Sequence, residues 1–380
     1  MAARRRLRVG PQPFKILSVD AARLLRTPAR YLIVLALAVS LAVACRAEER
    51  LFQQSRPAMG TQFTIYLYAP DGERASELFS EGFDEIERIE EALSNYRATS
   101  ELSRINRLAG KEAVVTDPEV FALLKASLEY SARSDGALDI TVGPLMRAWG
   151  FFRGQGHYPS ANELEQARAS VGWRNVKLDA PARSVRFLKP GMELDLGGIG
   201  KGYAADRVVD LLRDAGVRAA LVDAGSSTLM ALGAPPGAAG WRVLIPKPGD
   251  RAHTISTVFL RDESLSTSGS YEKFFRLEGR TYCHIMDPRS GRPVQEMLQT
   301  SVIAPTATIT DALSTTLFVL GRSAGERLLQ TEPQAEALWV EPQGNEEITT
   351  VGWKWRDKQC SAAAAECSLH LAHVNAKRNK

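Results

Sequence analysis

Asp195-Leu196-Gly197-Gly198-Ile199-Gly200-Lys201-Gly202 runs directly into Tyr203-Ala204-Ala205-Asp206. An acidic strand end, four glycines and one lysine open a helix expected over 203–215, with Gly216 standing where a C-terminal glycine belongs. Glycines let the backbone approach a ligand, and a helix N-terminus offers unpaired N–H groups to an anion. Lys201 adds a positive charge. A phosphate site and a tight turn with a solvated lysine both fit these residues. The stretch is no Walker loop, because Gly202 rather than Ser or Thr follows Lys201. Nor is it a dinucleotide fingerprint, because Gly198, Gly200 and Gly202 alternate. The parallel α/β folds that carry those motifs are therefore not indicated, and the fold class must come from the flanking chain.

Upstream, Phe63, Ile65 and Leu67 alternate with polar residues over 62–68, the pattern of a half-buried strand. After the turn Pro70-Asp71-Gly72, Leu78, Phe79, Phe83, Ile86, Ile89 and Leu93 recur at helical spacing. Asp117-Pro118 starts a helix as N-cap and N1, with Val120, Leu123, Leu124 and Leu128 as its buried stripe and Gly136 at its end. Ser160 to Glu163 has capping-box form, and Gly172 closes that helix. Short strands are expected at 176–178 and 185–187 before the glycine stretch, and at 220–222, 242–245 and 256–260 after it. The segment 272–286 folds as a hairpin around Glu278-Gly279, and a last strand at 301–304 precedes a helix over 311–320 ended by Gly321. Strands cluster in hairpins with long helices between, so the class is α+β with a mostly antiparallel sheet.

The chain has 380 residues, 44% of them apolar, enough for one large domain or two ordinary ones. Its net charge of +4 is uneven. Residues 1–30 carry Arg4, Arg5, Arg6, Arg8, Lys15, Arg23, Arg26 and Arg30 against Asp20 alone, a local +7 that leaves −3 for the remainder. No basic excess remains to support nucleic-acid binding. The basic start precedes an apolar run at 31–44 ending Ala42-Val43-Ala44-Cys45. That is the form of an export signal, with Cys45 placed as the acylated residue of a lipoprotein although Ala42 stands where leucine is usual. An uncleaved anchor is the alternative, short against the roughly 20 residues a bilayer span needs. Either way the mature chain is expected outside the cytoplasm, on the periplasmic face of the inner membrane. The expected organisation is a leader over 1–44, a linker over 45–55, one folded domain over 56–340, and a C-terminal extension over 341–380. Cys360 and Cys367 in that extension could pair in an oxidising compartment. No Cys/His spacing fits a zinc site.

Asp311 and Thr315 stand four apart on a helix and share a face, with Ser314 beside them. A carboxylate with hydroxyls suits a hard cation such as magnesium; a simple helix-start aspartate with Thr310 as cap is the bland reading. His284, at a strand end before Met286-Asp287-Pro288, could move a proton or merely bond a backbone carbonyl. Ser266-Thr267-Ser268-Gly269 offers hydroxyls, but no G-x-S-x-G elbow supports a hydrolase triad.

Taken together, Met59-Gly60-Thr61, Leu138-Asp139, Val142-Gly143-Pro144-Leu145, Trp149-Gly150-Phe151, Asp195 to Gly202, Thr267-Ser268-Gly269, His284 to Pro288 and Asp311-Ala312-Leu313-Ser314-Thr315 resemble the ApbE family. These are the FAD:protein FMN transferases, and the resemblance covers roughly 56–339. It implies a T-fold-like α+β core that takes FAD as FMN donor together with Mg2+. It also implies transfer of FMN to a threonine or serine of an acceptor flavoprotein of an electron-transport complex, with release of AMP. By matched position, Met59, Tyr96, Ala137, Leu138, Asp139, Asp195, Lys201 and Ile285 would contact FAD. Gly198 through its carbonyl, Asp311, Ser314 and Thr315 would surround the metal. Lys201 would supply charge, and His284 is the candidate base.

One departure stands out. Where the family reads Gly-Gly-Asp, this chain reads Gly225-Ser226-Ser227, without the carboxylate. Cys283, beside His284, is a candidate redox-sensitive thiol. An FAD pyrophosphatase using water, and a non-catalytic FAD-binding lipoprotein, are the alternative readings.

Overall fold

The computed structural model describes residues 49–154, 156–343 and 347–355. The expected leader and lipid anchor at Cys45, and the expected Cys360–Cys367 pair, lie outside the described residues. No described helix is long and apolar enough to cross a membrane.

Eight strands form one sheet whose spatial order follows the chain: β1 (Arg50–Ala58), β2 (Thr61–Ala69), β3 (Ala220–Ala224), β4 (Thr228–Leu232), β5 (Ser264–Gly269), β6 (Gln299–Ala304), β7 (Glu336–Gln343) and β8 (Glu347–Trp353). Each neighbouring pair is antiparallel, as expected. Between β2 and β3 the chain inserts α1 (Gly72–Leu93), α2 (Glu101–Leu108), α3 (Pro118–Arg133), α4 (Gly143–Ala148), α5 (Ala161–Ala169) and α6 (Gly200–Asp214). A further helix, α7 (Ala307–Leu329), joins β6 to β7. A hairpin, Trp241–Lys247 with Asp250–Leu260, lies between β4 and β5; the arm between β5 and β6 carries Phe274–Leu277 paired with Arg280–Cys283.

Strand residues alternate between two cores, as the pleat requires. Phe63, Ile65, Leu67, Val222 and Met230 pack with α1 and α6 through Leu78, Phe83, Ile86, Val208 and Leu212. Tyr66, Leu221, Leu229, Leu265, Ile303 and Leu338 pack instead with Trp241, Val243 and Val258 of the hairpin. Val302, Ala304, Ala337 and Trp339 meet Leu313, Leu317 and Phe318 of α7. The half-buried reading of β2 therefore needs correction: Thr64 and Tyr66 are buried as well, because the hairpin roofs the face that the alternation left to solvent.

The expected caps form. Asp117 accepts from Glu119 N with Pro118 in the first turn, and Ser160 and Glu163 make a complete capping box. Glu278 and Gly279 both take positive φ (49° and 76°), the requirement of a two-residue hairpin turn. Three boundaries differ. The helix expected from Tyr203 starts at Gly200, so Lys201 and Gly202 belong to its first turn. The helix expected from Asp311 starts at Ala307 under a Thr306 cap; Gly321 (φ 68°, ψ 178°) does end its regular geometry as expected, and a second helical stretch runs on to Leu329. Finally, β6 is not the last strand: β7 and β8 follow, carrying the sheet to Trp353, past the expected domain end at 340.

Candidate active site

The site grows from the crossing of α6 and α7. A Cβ on Gly202 would lie 2.1 Å from the Ala307 carbonyl oxygen and 2.8 Å from Asp311 Cβ, so only glycine admits this approach. The contact frees the Gly202 N–H to donate to Asp311 Oδ2 at 2.9 Å. One turn along α6, Asp206 accepts from Ala307 N (2.6 Å), Thr308 N (2.8 Å) and Thr308 Oγ1 (2.6 Å), capping the start of α7. The two helix starts are thereby locked together.

Asp311 is buried, and its second oxygen is held loosely: Lys201 Nζ and Thr228 Oγ1 each stand 3.4 Å from Oδ1. Lys201 also reaches the Gly197 carbonyl at 3.4 Å. Gly198 faces the same place, since a Cβ there would lie 3.5 Å from Thr315 Oγ1 and 3.2 Å from Leu138 Cδ1. Ser314 Oγ donates to the Asp311 carbonyl (3.1 Å) and accepts from Ser268 Oγ (3.1 Å), which lies 3.4 Å from Thr315 Oγ1. A carboxylate oxygen without a close donor, two hydroxyls and a glycine backbone make an all-oxygen set that fits a hard cation. Of these, Ser314 is the most fully engaged within the protein.

Beside this pole sits a second cluster. The Asp195 backbone N donates to Ile140 O (2.7 Å), and its Oδ1 accepts from Gly197 N (2.7 Å), closing the glycine turn. Burial raises the Asp195 carboxyl, opposed by the Gly197 N–H, Lys273 and the Asn95 amide. Asn95 Oδ1 is buried with no partner, an acceptor left for a ligand donor. Next to Asn95, Tyr96 is 68% exposed, its ring stacked 4.5 Å from Phe152, whose other neighbour is the Arg147 guanidinium at 3.7 Å. Arg147 pairs with both oxygens of Glu193. A cavity of about 570 Å³ opens here, lined by Asn95, Arg107, Lys111, Arg147 and Glu193 among others. This cavity lies on the Asn95 side, and Asp311 is not among its lining residues.

His284 follows the arm hairpin. Its backbone N–H (2.9 Å) and ring Nδ1 (3.1 Å) both point at the Lys273 carbonyl. A carbonyl only accepts, so Nδ1 carries the proton and Nε2 keeps its lone pair. Desolvation, with the positive charges of Lys273 and Lys201, lowers the imidazole to about 4. His284 is therefore neutral at pH 7. Lys273 is itself lowered by desolvation and by Lys201. No ion pair holds the Lys273 ammonium among the described residues.

The remaining expected residues fall into two groups. Met59, at positive φ in the β1–β2 turn, donates its N–H to Glu90 (2.9 Å) and sets its methyl 3.6 Å from a Cβ built on Gly200. Leu138 adjoins Gly198. Asp139 is different: Oδ1 accepts from Thr141 N and Oγ1 (2.8 and 2.7 Å), and Oδ2 from Trp173 N (2.8 Å). Its carboxylate shapes the 137–142 loop, within which Ala137 is buried. Ile285 is buried among Met297, Val302 and Leu313. Cys283 does not fit the redox-sensitive reading: its thiol is buried against the Ile285 and Val294 carbonyls, and burial raises it to about 11, which disfavours the reactive thiolate. Gly225 and Ser226 both take positive φ in the β3–β4 turn, where a Cβ on Gly225 would strike Thr61. Ser227 precedes Thr228, a neighbour of Asp311. Sequence reasoning missed Thr228, Lys273, Asn95 and Arg147; only the unusual serine alternation of β5 hinted at the hydroxyls around Asp311.

A family model described as "ApbE family" matches residues 59–339. The FAD:protein FMN transferase of Klebsiella pneumoniae (strain 342) is 34% identical over 299 residues, 77% of this chain and 90% of that protein. The FAD:protein FMN transferase of Treponema pallidum (strain Nichols) is 34% identical over 314 residues, 78% and 86% of the two chains. Among solved structures, the apo form of Pseudomonas stutzeri flavinyl transferase ApbE superposes with a TM-score of 0.72 at 32% identity, covering 80% of this chain and 95% of that one. The Thermotoga maritima ApbE protein gives 0.72 at 29% identity, covering 79% and 96%.

Proposed function

This chain belongs to the ApbE family, and from that membership we propose that it is an FAD:protein FMN transferase. It moves the FMN half of FAD onto a threonine or serine hydroxyl of an acceptor flavoprotein of an electron-transport complex, and AMP leaves. The observation that carries this reading is the junction of α6 and α7, where Asp311, Lys201, Gly198 and Thr315 converge.

Asp311, Thr315, Ser314 and the Gly198 carbonyl would hold magnesium. When bound there, the ion would neutralise pyrophosphate charge. Lys201 adds positive charge to the same place, and Lys273 extends it toward His284. Neutral His284, with Nε2 unprotonated, takes the proton of the acceptor hydroxyl as its oxygen attacks the phosphorus on the FMN side. The phosphoanhydride P–O bond breaks, and AMP departs with the electron pair. A base of this kind contributes about 10²–10⁴-fold in rate. Tyr96, Asn95 and Asp195 would receive the flavin dinucleotide on the open side, with Met59, Ala137, Leu138, Asp139 and Ile285 shaping the walls.

The leader would export the chain, and Cys45 would anchor it on the periplasmic face of the inner membrane, where acceptors exposed to that compartment are in reach. The test is incubation of the purified protein with FAD, Mg2+ and an acceptor domain, followed by in-gel flavin fluorescence. Covalent fluorescence on the acceptor supports transfer. AMP and FMN without labelled acceptor replaces it with hydrolysis, and unchanged FAD that stays bound replaces it with a binding role.

A further inference from the structure

Strand β5 reads Ser264-Leu265-Ser266-Thr267-Ser268. Side chains along a strand alternate faces, so the three serines share one face and Leu265 and Thr267 the other. Leu265 enters the hairpin core, and Thr267 Oγ1 bonds Ser301 at 2.8 Å. The serines instead meet the hydroxyls of α7. Ser264 and Ser266 each lie 2.7 Å from Thr310 Oγ1, and Ser268 donates to Ser314. Ser266 also donates to Thr228 Oγ1 at 3.0 Å. Thr228 has one proton, and with its oxygen accepting from Ser266 that proton is directed at Asp311 Oδ1.

Thr228, Ser264, Ser266, Thr310 and Ser314 are all at most 1% exposed. Burying hydroxyls is favourable only when each finds a partner, so an apolar layer would close this crossing more simply. The polar layer lies directly beneath one stripe of α7, and that stripe carries Asp311, Ser314 and Thr315.

We propose that Thr228 and the β5 serines are positioning residues that aim the ligand face of α7. Gly202 N–H fixes Asp311 Oδ2 and Thr228 steers Oδ1, so the carboxylate presents a single oxygen outward. Ser268 does the same for the Ser314 and Thr315 hydroxyls. The inference rests on reading Asp311 and Thr315 as magnesium holders.

The test measures Mn2+ affinity of the full chain by electron paramagnetic resonance, with and without FAD. Groups that orient metal ligands typically shift affinity about 10–100-fold when removed. Thr228→Val is expected to weaken Mn2+ binding at least ~10-fold by that measure, with Thr228→Ser restoring it and Ser268→Ala weakening it too. Thr267→Val, on the other face of the same strand, is expected to leave Mn2+ affinity unchanged. Wild-type affinity in Thr228→Val, or equal loss in Thr267→Val, overturns the inference alone. A wild-type chain that takes up no Mn2+ overturns the magnesium reading and this inference together. Should Thr228→Val not fold, Ser268→Ala carries the same comparison.

Discussion

The Gly202 amide donates to Asp311 Oδ2 at 2.9 Å, and this bond exists because residue 202 has no side chain. A methyl there must push α6 away from the Ala307 carbonyl. Overpacking of this kind costs about 1–3 kcal/mol. Gly202→Ala is therefore expected to lower urea stability by that order and to cost flavin transfer as well. Gly72→Ala, whose methyl would meet only Phe52 at an ordinary 3.7 Å, is the matched control and should lower neither. Equal stability and activity in Gly202→Ala would show that the helix crossing does not depend on this glycine.

Asp206 is the second lock. Its carboxylate satisfies two N–H groups at the start of α7, groups that no helical carbonyl can reach. Asp206→Ala is expected to destabilise by about 0.5–2 kcal/mol, the usual cost of a lost cap. The check is chemical denaturation, paired with hydrogen exchange at Ala307 and Thr308. Unchanged protection of those amides would show that the cap contributes nothing.

His284 yields a pH prediction with a definite sign. Its folded value, about 4, lies below the ordinary value of 6.5, so the folded state binds fewer protons than the unfolded chain between them. The His284 contribution is complete above pH 6.5, is lost as pH falls from there to about 4, and is flat below. Wild-type stability should fall across that window more steeply than that of His284→Gln. Transfer should be level from pH 8 to 6, and His284→Gln should lose about 10²–10⁴-fold in kcat. An acid limb centred near pH 7 would contradict the neutral-histidine assignment.

Cys283 should be silent. A buried thiol raised to about 11 holds almost no thiolate at neutral pH. Iodoacetamide is expected to modify it only after denaturation, as read by mass spectrometry of the 281–289 peptide. Rapid native labelling would restore a redox role.

The glycine-lysine turn at 195–202 is legible as an anion-facing feature from sequence alone, because glycine spacing and a lysine have local meaning. The capped helices and the hairpin at Glu278-Gly279 are legible for the same reason. Asp311 and Thr315 stand out as an i, i+4 pair, but their partners do not. Thr228 and Ser268 reach α7 only through the pairing of β4 with β5, a long-range fact without local periodicity. The start of α6 differs from expectation because Gly200 and Gly202 are poor helix formers held helical by tertiary contact, and that of α7 because Asp206, a hundred residues away, caps Ala307 and Thr308. Likewise β7 and β8 lie at or beyond the edge of the stretch whose motifs carry the family resemblance. The burial of β2 on both faces depends on a hairpin far along the chain, at 241–260, which alternation within β2 cannot report.

The proposed magnesium-dependent FMN transfer turns on Asp311, at the crossing of α6 and α7. The decisive measurement is covalent flavin fluorescence on an acceptor domain, with FAD and Mg2+, comparing wild type and Asp311→Ala at matched folded concentration. A labelled acceptor is predicted with wild type, abolished by chelator, and no label with Asp311→Ala. Magnesium-dependent labelling that survives in Asp311→Ala would contradict the assignment.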